Sequence, residues 1–281
     1  IPAESFLFDG TPLVKDVVDV TGCLVKGKLV LLITGILPTR PNHTAHILVS
    51  LDEEQTWTLI GHTDTLGNGT LASDGSTLFF VGGVVVQTWF PQASSAVMDM
   101  TVGEDGFLIT EEIAELSSTP HFASVTYQNG KLLVSGGTAS RHNADPSDVV
   151  DMVDLASGEV TTIDLLPQTG INAKGLEYST AGLADGTFVL VGPTNKSDTT
   201  STYSVTADGT VTPGNMLAYA GNLYFPSSVA YDGALYVIAT VSPTGEGTPT
   251  TVLTTTPMNS AVALGDALSC PVVTGPAQVN A

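Results

Sequence analysis

The stretch that decides the fold runs from Ser124 to Gly137 and reads SVTYQNGKLLVSGG. Asn129-Gly130 in its middle supplies the positive φ angles that a two-residue hairpin turn demands, and strand-forming residues flank it on both sides. The apolar run Leu132 to Val134 then leads into the small residues Gly136-Gly137. The stretch therefore predicts a β-hairpin whose second strand ends in a double glycine.

The same pattern recurs along the whole chain, with spacings of 47, 54, 56 and 47 residues between the last residues of successive copies. The copies are Leu31 to Gly35, Leu78 to Gly82, Leu132 to Gly136, Phe188 to Gly192 and Leu235 to Ala239. The turn signals before them are Lys26-Gly27, Asp74-Gly75, Asn129-Gly130, Asp185-Gly186 and Asp232-Gly233. Further alternating strands follow each copy, which predicts four strands per unit.

The Ser124 to Gly137 stretch resembles a kelch repeat, with its aromatic residue, its turn glycine and its double glycine in place. Gly82-Gly83 keeps the double glycine, whereas Gly192-Pro193 and Gly35-Ile36 keep half of it and Ala239-Thr240 loses it. The resemblance implies an all-β fold, a β-propeller of four-stranded antiparallel blades. It specifies no chemistry, because one fold can carry many functions.

The spacing predicts five blades, with six as the alternative. The spacings average 51 residues, and the interval left around a ring, from Ala239 through Ala281 and on from Ile1 to Gly35, is 77 residues. One blade fits that interval better than two. We therefore expect residues 1–281 to form a single propeller domain in which a strand at about residues 5–8 joins the C-terminal blade and closes the ring.

Composition narrows the choice of partners. The chain has 8 Lys+Arg against 28 Asp+Glu and a formal net charge of -20, so nucleic acids and anionic membranes would be repelled. Its longest apolar stretches are too short to insert into a membrane. Because the chain begins Ile1-Pro2, we expect part of a longer, secreted or cell-surface polypeptide.

Two known chemistries of β-propellers do not match the residues of this chain. Ser50 to Trp57 resembles a sialidase Asp-box with Glu54 in place of its glycine, and that motif implies a structural turn between the third and fourth strands. A sialidase also needs three arginines, and the chain has two, Arg40 and Arg141. The copper site of galactose oxidase, another kelch propeller, has no matching Tyr and His pattern here, so no metal or cofactor is expected.

The two cysteines lie far apart in sequence, at Cys23 and Cys270. Ring closure would bring the two ends of the chain into one region, and an oxidising compartment would favour a disulfide there. The alternative is two buried thiols that act as small hydrophobic side chains.

Strand direction predicts the location of binding. In a four-stranded antiparallel blade, the connections after the second and fourth strands emerge on one face, opposite the Asp-Gly turns. Predicted second-to-third loops include Ile36 to Ala45, Val84 to Ser94 and Thr138 to Ser147. The residues expected on that face are Arg40, His43, Trp89, Phe90, Arg141 and His142, with His62, His121 and Tyr219 from the fourth-to-first loops.

Scarce cations and large aromatic residues gathered on one face favour an extracellular binding or adhesion module with a protein or glycan ligand. The alternative for Trp89-Phe90 is packing of a long loop onto its blade. The alternative function is a carbohydrate-active enzyme, a glycoside hydrolase or lyase, with carboxylates at the central channel. Pairs such as Asp148/Asp151 and Glu111/Glu112 could serve it.

Overall fold

The computed structural model of the chain describes residues 7–8, 11–12, 16–37, 40–51, 57–63, 66–85, 92–121, 123–137, 149–163, 178–183, 185–193, 200–216, 223–231, 234–241 and 250–257. All regular secondary-structure elements within these residues are β-strands, so the all-β prediction is confirmed. In this described part, no helix is long and apolar enough to cross a bilayer.

The N-terminal part contains a short hairpin and a first large sheet. Strands β1 (Leu7–Phe8) and β2 (Thr11–Pro12) pair with each other. Sheet I then has four antiparallel strands in chain order: β3 (Asp16–Val25), β4 (Lys28–Leu37), β5 (Arg40–Leu51) and β6 (Trp57–Thr63).

Sheet II follows, and between its second and third strands the chain forms two strands of a smaller sheet. Its four strands are β8 (Thr70–Ser73), β9 (Leu78–Val81), β12 (Ala96–Val102) and β13 (Leu108–Glu115). A small three-stranded sheet lies beside it, made of β7 (Leu66–Gly67), β10 (Val84–Val85) and β11 (Gln92–Ala93).

Three further sheets complete the described part. Sheet III contains β14 (Ser124–Gln128), β15 (Lys131–Ser135), β16 (Val150–Asp154) and β17 (Val160–Ile163). Sheet IV contains β18 (Ser179–Gly182), β19 (Phe188–Pro193), β20 (Thr200–Val205) and β21 (Val211–Met216). Sheet V contains β22 (Leu223–Tyr231), β23 (Ala234–Val241) and β24 (Thr250–Pro257).

The first strands of successive sheets lie side by side. Strand β3 contacts β8, β8 contacts β14, β14 contacts β18, and β18 contacts β22. Hydrogen bonds link three of these four pairs: Leu71 N donates to Thr21 Oγ1 (3.0 Å), Thr70 Oγ1 to the O of Ala123, the residue before β14 (2.6 Å), and Thr180 N to Ser124 Oγ (2.9 Å). The sheets therefore meet along their first strands, and hydroxyl groups hold these strands together.

Buried apolar side chains fill the spaces between successive sheets. Phe80 of sheet II shares a cluster with Leu32 of sheet I, and Leu132 of sheet III shares one with Val97 of sheet II. Sheets III and IV share a third cluster: Leu133, Val150, Met152, Ile163, Tyr178, Phe188, Leu190, Tyr203, Val205 and Val211. Each fully buried side chain of this size contributes about 1.5–3 kcal/mol, so packing between sheets is a major source of stability.

The turns between first and second strands are where the sequence predicts them. Lys26 and Gly27 have φ angles of 50° and 76°, and Asn129 and Gly130 have 47° and 81°. Positive φ at both central residues matches the right-handed twist of the flanking strands. The predicted hairpins at these two positions are confirmed.

The prediction of a loop from Ile36 to Ala45 is wrong. Strand β4 extends to Leu37 and β5 begins at Arg40, with Leu37 opposite Arg40 and Ile36 opposite Thr44. Pro41, Asn42 and His43 therefore form a bulge in β5, and the described residues of the segment belong to strands and not to a loop.

Strand β1 pairs with β2 in the described structure, whereas the sequence predicts that this strand joins the C-terminal blade. Leu7 lies opposite Pro12 and Phe8 opposite Thr11 in the β1–β2 hairpin. Closure of a ring by residues 5–8 stays a prediction.

Candidate binding face

Each sheet has two distinct ends. The turn end carries the first-to-second turns at Lys26-Gly27, Asp74-Gly75, Asn129-Gly130 and Asp185-Gly186. The connection end is the opposite one, where the second strand ends at Leu37, Val81, Ser135, Pro193 or Val241 and the chain passes to the third strand. The sequence predicts that the binding residues lie at the connection end.

The structure describes four of the predicted residues, Arg40, His43, His62 and His121, the first two by their backbone alone. Arg40 is the first residue of β5, and His43 follows in the same strand, so both lie at the connection end of sheet I. The other predicted residues fall outside the described ranges: Trp89, Phe90, Arg141, His142 and Tyr219. Their participation stays a prediction.

His121 was expected on the binding surface, and that expectation is wrong. Its exposed fraction is 2%. The segment that carries it is held between two double glycines, because Gly83 N donates to Pro120 O (2.8 Å) and a Cβ on Gly137 would come within 2.4 Å of His121 O. His62 is exposed, but it lies in strand β6 rather than in a loop, with its ring 4.2 Å from that of Phe107.

The double glycine of sheet II shapes the connection end. Gly82 and Gly83 have φ angles of 66° and 76°, which side chains other than glycine rarely allow. Gly82 N donates to Ala96 O (2.9 Å), and Gly83 O accepts from Ser94 N (3.0 Å). These bonds fix the chain that leads into β12.

A groove of about 400 Å³ opens beside this chain, at the connection end of sheet II. Its lining residues are Gln92, Ala93, Ser94, Ser95, Ala96, Met98, Thr110, Glu112 and Glu115. Ser94 is buried, with an exposed fraction of 8%, and its Oγ accepts a hydrogen bond from Ala96 N (3.1 Å). Ser95 Oγ donates to Glu115 Oε1 at 3.2 Å. The groove combines a polar wall with an apolar strip.

A β-bulge brings both carboxylates into the groove. In a regular strand, residues 112 and 115 would face opposite sides, because side chains alternate. Here Met98 lies opposite Glu112 and Val97 opposite Ala114, so Ile113 is an extra residue in β13. Ile113 packs against the cluster between sheets II and III, and a Cβ on Gly158 would come within 2.6 Å of its carbonyl oxygen.

Asp151 has a structural environment. Its exposed fraction is 2%, and its carboxylate accepts from Ser117 N (2.9 Å), Ser117 Oγ (2.7 Å) and Thr162 Oγ1 (2.8 Å). These bonds tie the segment after sheet II to sheet III. Its suggested partner, Asp148, lies outside the described residues.

Acidic residues are scarce on the first strands. As the structure bounds them, β8, β14, β18 and β22 contain no Asp or Glu, while β3 contains Asp16 and Asp19. The suggested Glu111/Glu112 pair lies on β13, the outermost strand of sheet II, and both residues are exposed. Among the described residues, no group of three or more His, Cys, Asp or Glu side chains is placed to hold a metal ion.

Cys23 has no disulfide partner among the described residues, and its side chain packs against the cluster between sheets I and II. Burial raises the pKa of this thiol from 9.0 to about 12. Because the folded state favours the neutral form, this group stabilises the fold fully below pH 9, and the contribution decreases as the pH rises from there towards 12. Cys270 lies outside the described residues, so the disulfide stays a prediction.

Thiol labelling tests this environment. At pH 8 with reductant, we expect iodoacetamide to modify Cys23 at least a hundredfold more slowly in the native protein than in urea, because the thiolate is the reactive form. Peptide mass mapping separates Cys23 from Cys270. Equal rates in both states would contradict the buried thiol, and labelling of both cysteines without reductant would contradict the disulfide.

Comparison with known proteins adds information about the fold. No protein-family model and no curated protein matches the sequence. The solved structure of YjhT is similar, with a TM-score of 0.64 and 11% sequence identity, over 88% of this chain and 83% of that chain. At this identity the likeness concerns the fold alone, and it extends over most of both chains.

Proposed function

We propose that the chain is a secreted or cell-surface binding module, a kelch-like β-propeller of five blades that presents its connection ends to an extracellular glycan or protein. The succession of first strands β3, β8, β14, β18 and β22 supports the ring, because first strands surround the axis of a propeller. Sheets I to V would be the blades, and contact between sheets V and I would close the ring.

The groove at the connection end of sheet II is the observation that carries this function. It is open to solvent, about 400 Å³ in volume, and lined by hydrogen-bonding groups. It also directly follows Trp89-Phe90 in the sequence. On sheet I, Arg40 and His43 lie at the corresponding end. Aromatic and arginine anchors beside a preformed concavity are the usual elements of a binding surface.

A carbohydrate-active enzyme with catalytic carboxylates at the axis is the weaker alternative. Such an enzyme needs two acids that converge on one bond. Four of the five first strands carry no acidic residue, and Asp151 is fully engaged in holding two sheets together. These observations favour binding over hydrolysis.

A glycan array and a pull-down of extracellular proteins identify the ligand, and a double variant then tests the face. We expect Trp89→Ala/Arg141→Ala to weaken binding by about 2 kcal/mol or more, roughly thirtyfold in Kd. The matched control is Lys28→Ala/Ile109→Ala, which removes an exposed cation and a large exposed apolar side chain near the turn end. Binding lost in the control and kept in the test variant would refute the proposed face.

A further inference from the structure

We infer that the groove at the connection end of sheet II is a saccharide subsite that accepts a neutral sugar unit and rejects acidic ones. This inference deepens the proposed function and rests on it.

The size of the groove suits a small polar ligand. Small-molecule sites have volumes of about 300–1,000 Å³, and the groove, at about 400 Å³, is at the lower end of that range. It lies along the outer part of the sheet, between β11 and β13, and is open to solvent. A sugar unit can therefore enter it while the rest of a glycan chain extends into solvent.

The lining matches the hydrogen-bonding pattern of a sugar. The Glu112 and Glu115 carboxylates accept hydrogen bonds, and one carboxylate can accept from two adjacent hydroxyl groups. Gln92 can both donate and accept. Ser94 Oγ accepts from Ala96 N, which leaves its O–H hydrogen able to donate to a ligand.

An apolar strip completes the fit. Ala93, Ala96 and Met98 line the groove together with the polar groups. A pyranose ring has C–H groups on its faces and hydroxyl groups around its edge, so it can place the former against this strip and the latter against the carboxylates. Ala93 is the exposed member of this strip, whereas Ala96 and Met98 also belong to the buried cluster between sheets I and II and show only their edges to the groove.

Charge sets the selectivity. The groove is lined by two glutamates and by no Lys, Arg or His among its described lining residues. The chain as a whole has a formal net charge of -20. A uronate, sialate or sulfate group seated here would face like charges at close range without a compensating cation. Neutral units avoid that repulsion.

The bulge at Ile113 is the feature that makes the site. Bulges are frequent next to functional sites because they re-aim a side chain. This bulge turns Glu115 to the same side as Glu112, while Ile113 itself packs between sheets II and III. Glu111, the neighbour of Glu112 in the same strand, is exposed but does not line the groove.

The test uses the whole 281-residue chain and two matched sets of probes. Neutral disaccharides such as lactose and chitobiose are compared with acidic analogues such as sialyllactose by calorimetry and saturation-transfer NMR. We expect at least one neutral disaccharide to bind, and its acidic analogues to bind at least tenfold more weakly. Glu112→Gln/Glu115→Gln should weaken the binding of the neutral disaccharide at least tenfold and reduce the difference in affinity between it and its acidic analogues. Glu111→Gln, the matched control, should change neither the affinity for the neutral disaccharide nor that for its acidic analogues by more than twofold.

Several results would overturn the subsite. One is that Glu111→Gln and the double variant lower the affinity for the neutral disaccharide equally. Another is that the acidic analogues bind more tightly than the neutral ones. The others are that a simple diamine binds in preference to every saccharide, or that no saccharide binds at all. If Trp89→Ala/Arg141→Ala weakens glycan binding and Glu112→Gln/Glu115→Gln does not, the proposed function stands and the subsite is wrong. If neither variant weakens it, both proposals fail. Circular dichroism confirms that each variant is folded.

Discussion

Gly83→Ala is expected to lower the free energy of unfolding by about 2–5 kcal/mol. A φ of 76° costs a residue with a Cβ about 1–2 kcal/mol, and forcing an atom into a filled space costs about 1–3 kcal/mol more. The new Cβ would lie 2.4 Å from Gly67 O and 2.4 Å from Gly69 N, and backbone atoms cannot move aside as a flexible side chain can. Urea denaturation followed by circular dichroism measures the loss.

Gly27→Ala is the matched control for this substitution. Gly27 has the same φ of 76°, but a Cβ there would have nothing within 4 Å. We expect it to lose about 1–2 kcal/mol, the conformational part alone. Equal losses in the two variants would mean that close packing at the connection end does not explain the double glycine.

Asp151→Ala is expected to cost on the order of 3 kcal/mol. The substitution leaves Ser117 N, Ser117 Oγ and Thr162 Oγ1 without their acceptor in a buried site. Hydrogen bonds to a charged group contribute about 1.5–3 kcal/mol, and buried groups left without a partner add to the loss. The measurement is again urea denaturation, with Asp151→Asn expected to retain part of the stability because it keeps the shape and one acceptor oxygen.

Asp154→Ala provides the comparison for Asp151. Asp154 lies in the same strand, but its carboxylate is partly exposed: it pairs with Lys131 at 3.2 Å and accepts hydrogen bonds from the exposed Ala156 N (3.0 Å) and Ser157 N (3.2 Å). Because exposed ion pairs contribute little, Asp154→Ala should lower the free energy of unfolding clearly less than Asp151→Ala does. A larger loss for Asp154→Ala than for Asp151→Ala would contradict the assignment of Asp151 as the link between sheets II and III.

The strands and turns could be predicted because their signals are local. Asn129-Gly130 and Lys26-Gly27 adopt the positive φ angles that the sequence indicated. The segment from Ser50 to Trp57 joins the third and fourth strands of sheet I, as its resemblance to an Asp-box implied. At the two turns, a few adjacent residues determine the backbone.

Features that depend on neighbouring strands could not be predicted. The sequence from Ile36 to Ala45 predicts a loop, but Ile36, Leu37, Arg40 and Thr44 pair across β4 and β5, and that pairing depends on a partner that no local pattern reveals. His121 read as a surface residue, because the sequence cannot show that its segment is held between Gly83 and Gly137.

The groove could not be predicted for a related reason. Strict alternation places Glu112 and Glu115 on opposite sides of a strand. The bulge that reverses this depends on the packing of Ile113 against sheet III. A shift of one residue in register therefore decides whether the two carboxylates form a site.

Hydrogen exchange of the whole chain, with and without the tightest-binding glycan or protein from the screens, tests the binding face most directly. The account predicts slower exchange with ligand at the connection ends, in the segment from Ile36 to Ala45 and in the segment from Gly83 to Ala96. The turns at Lys26-Gly27, Asp74-Gly75 and Asn129-Gly130 should exchange at unchanged rates. Protection confined to those turns would contradict it.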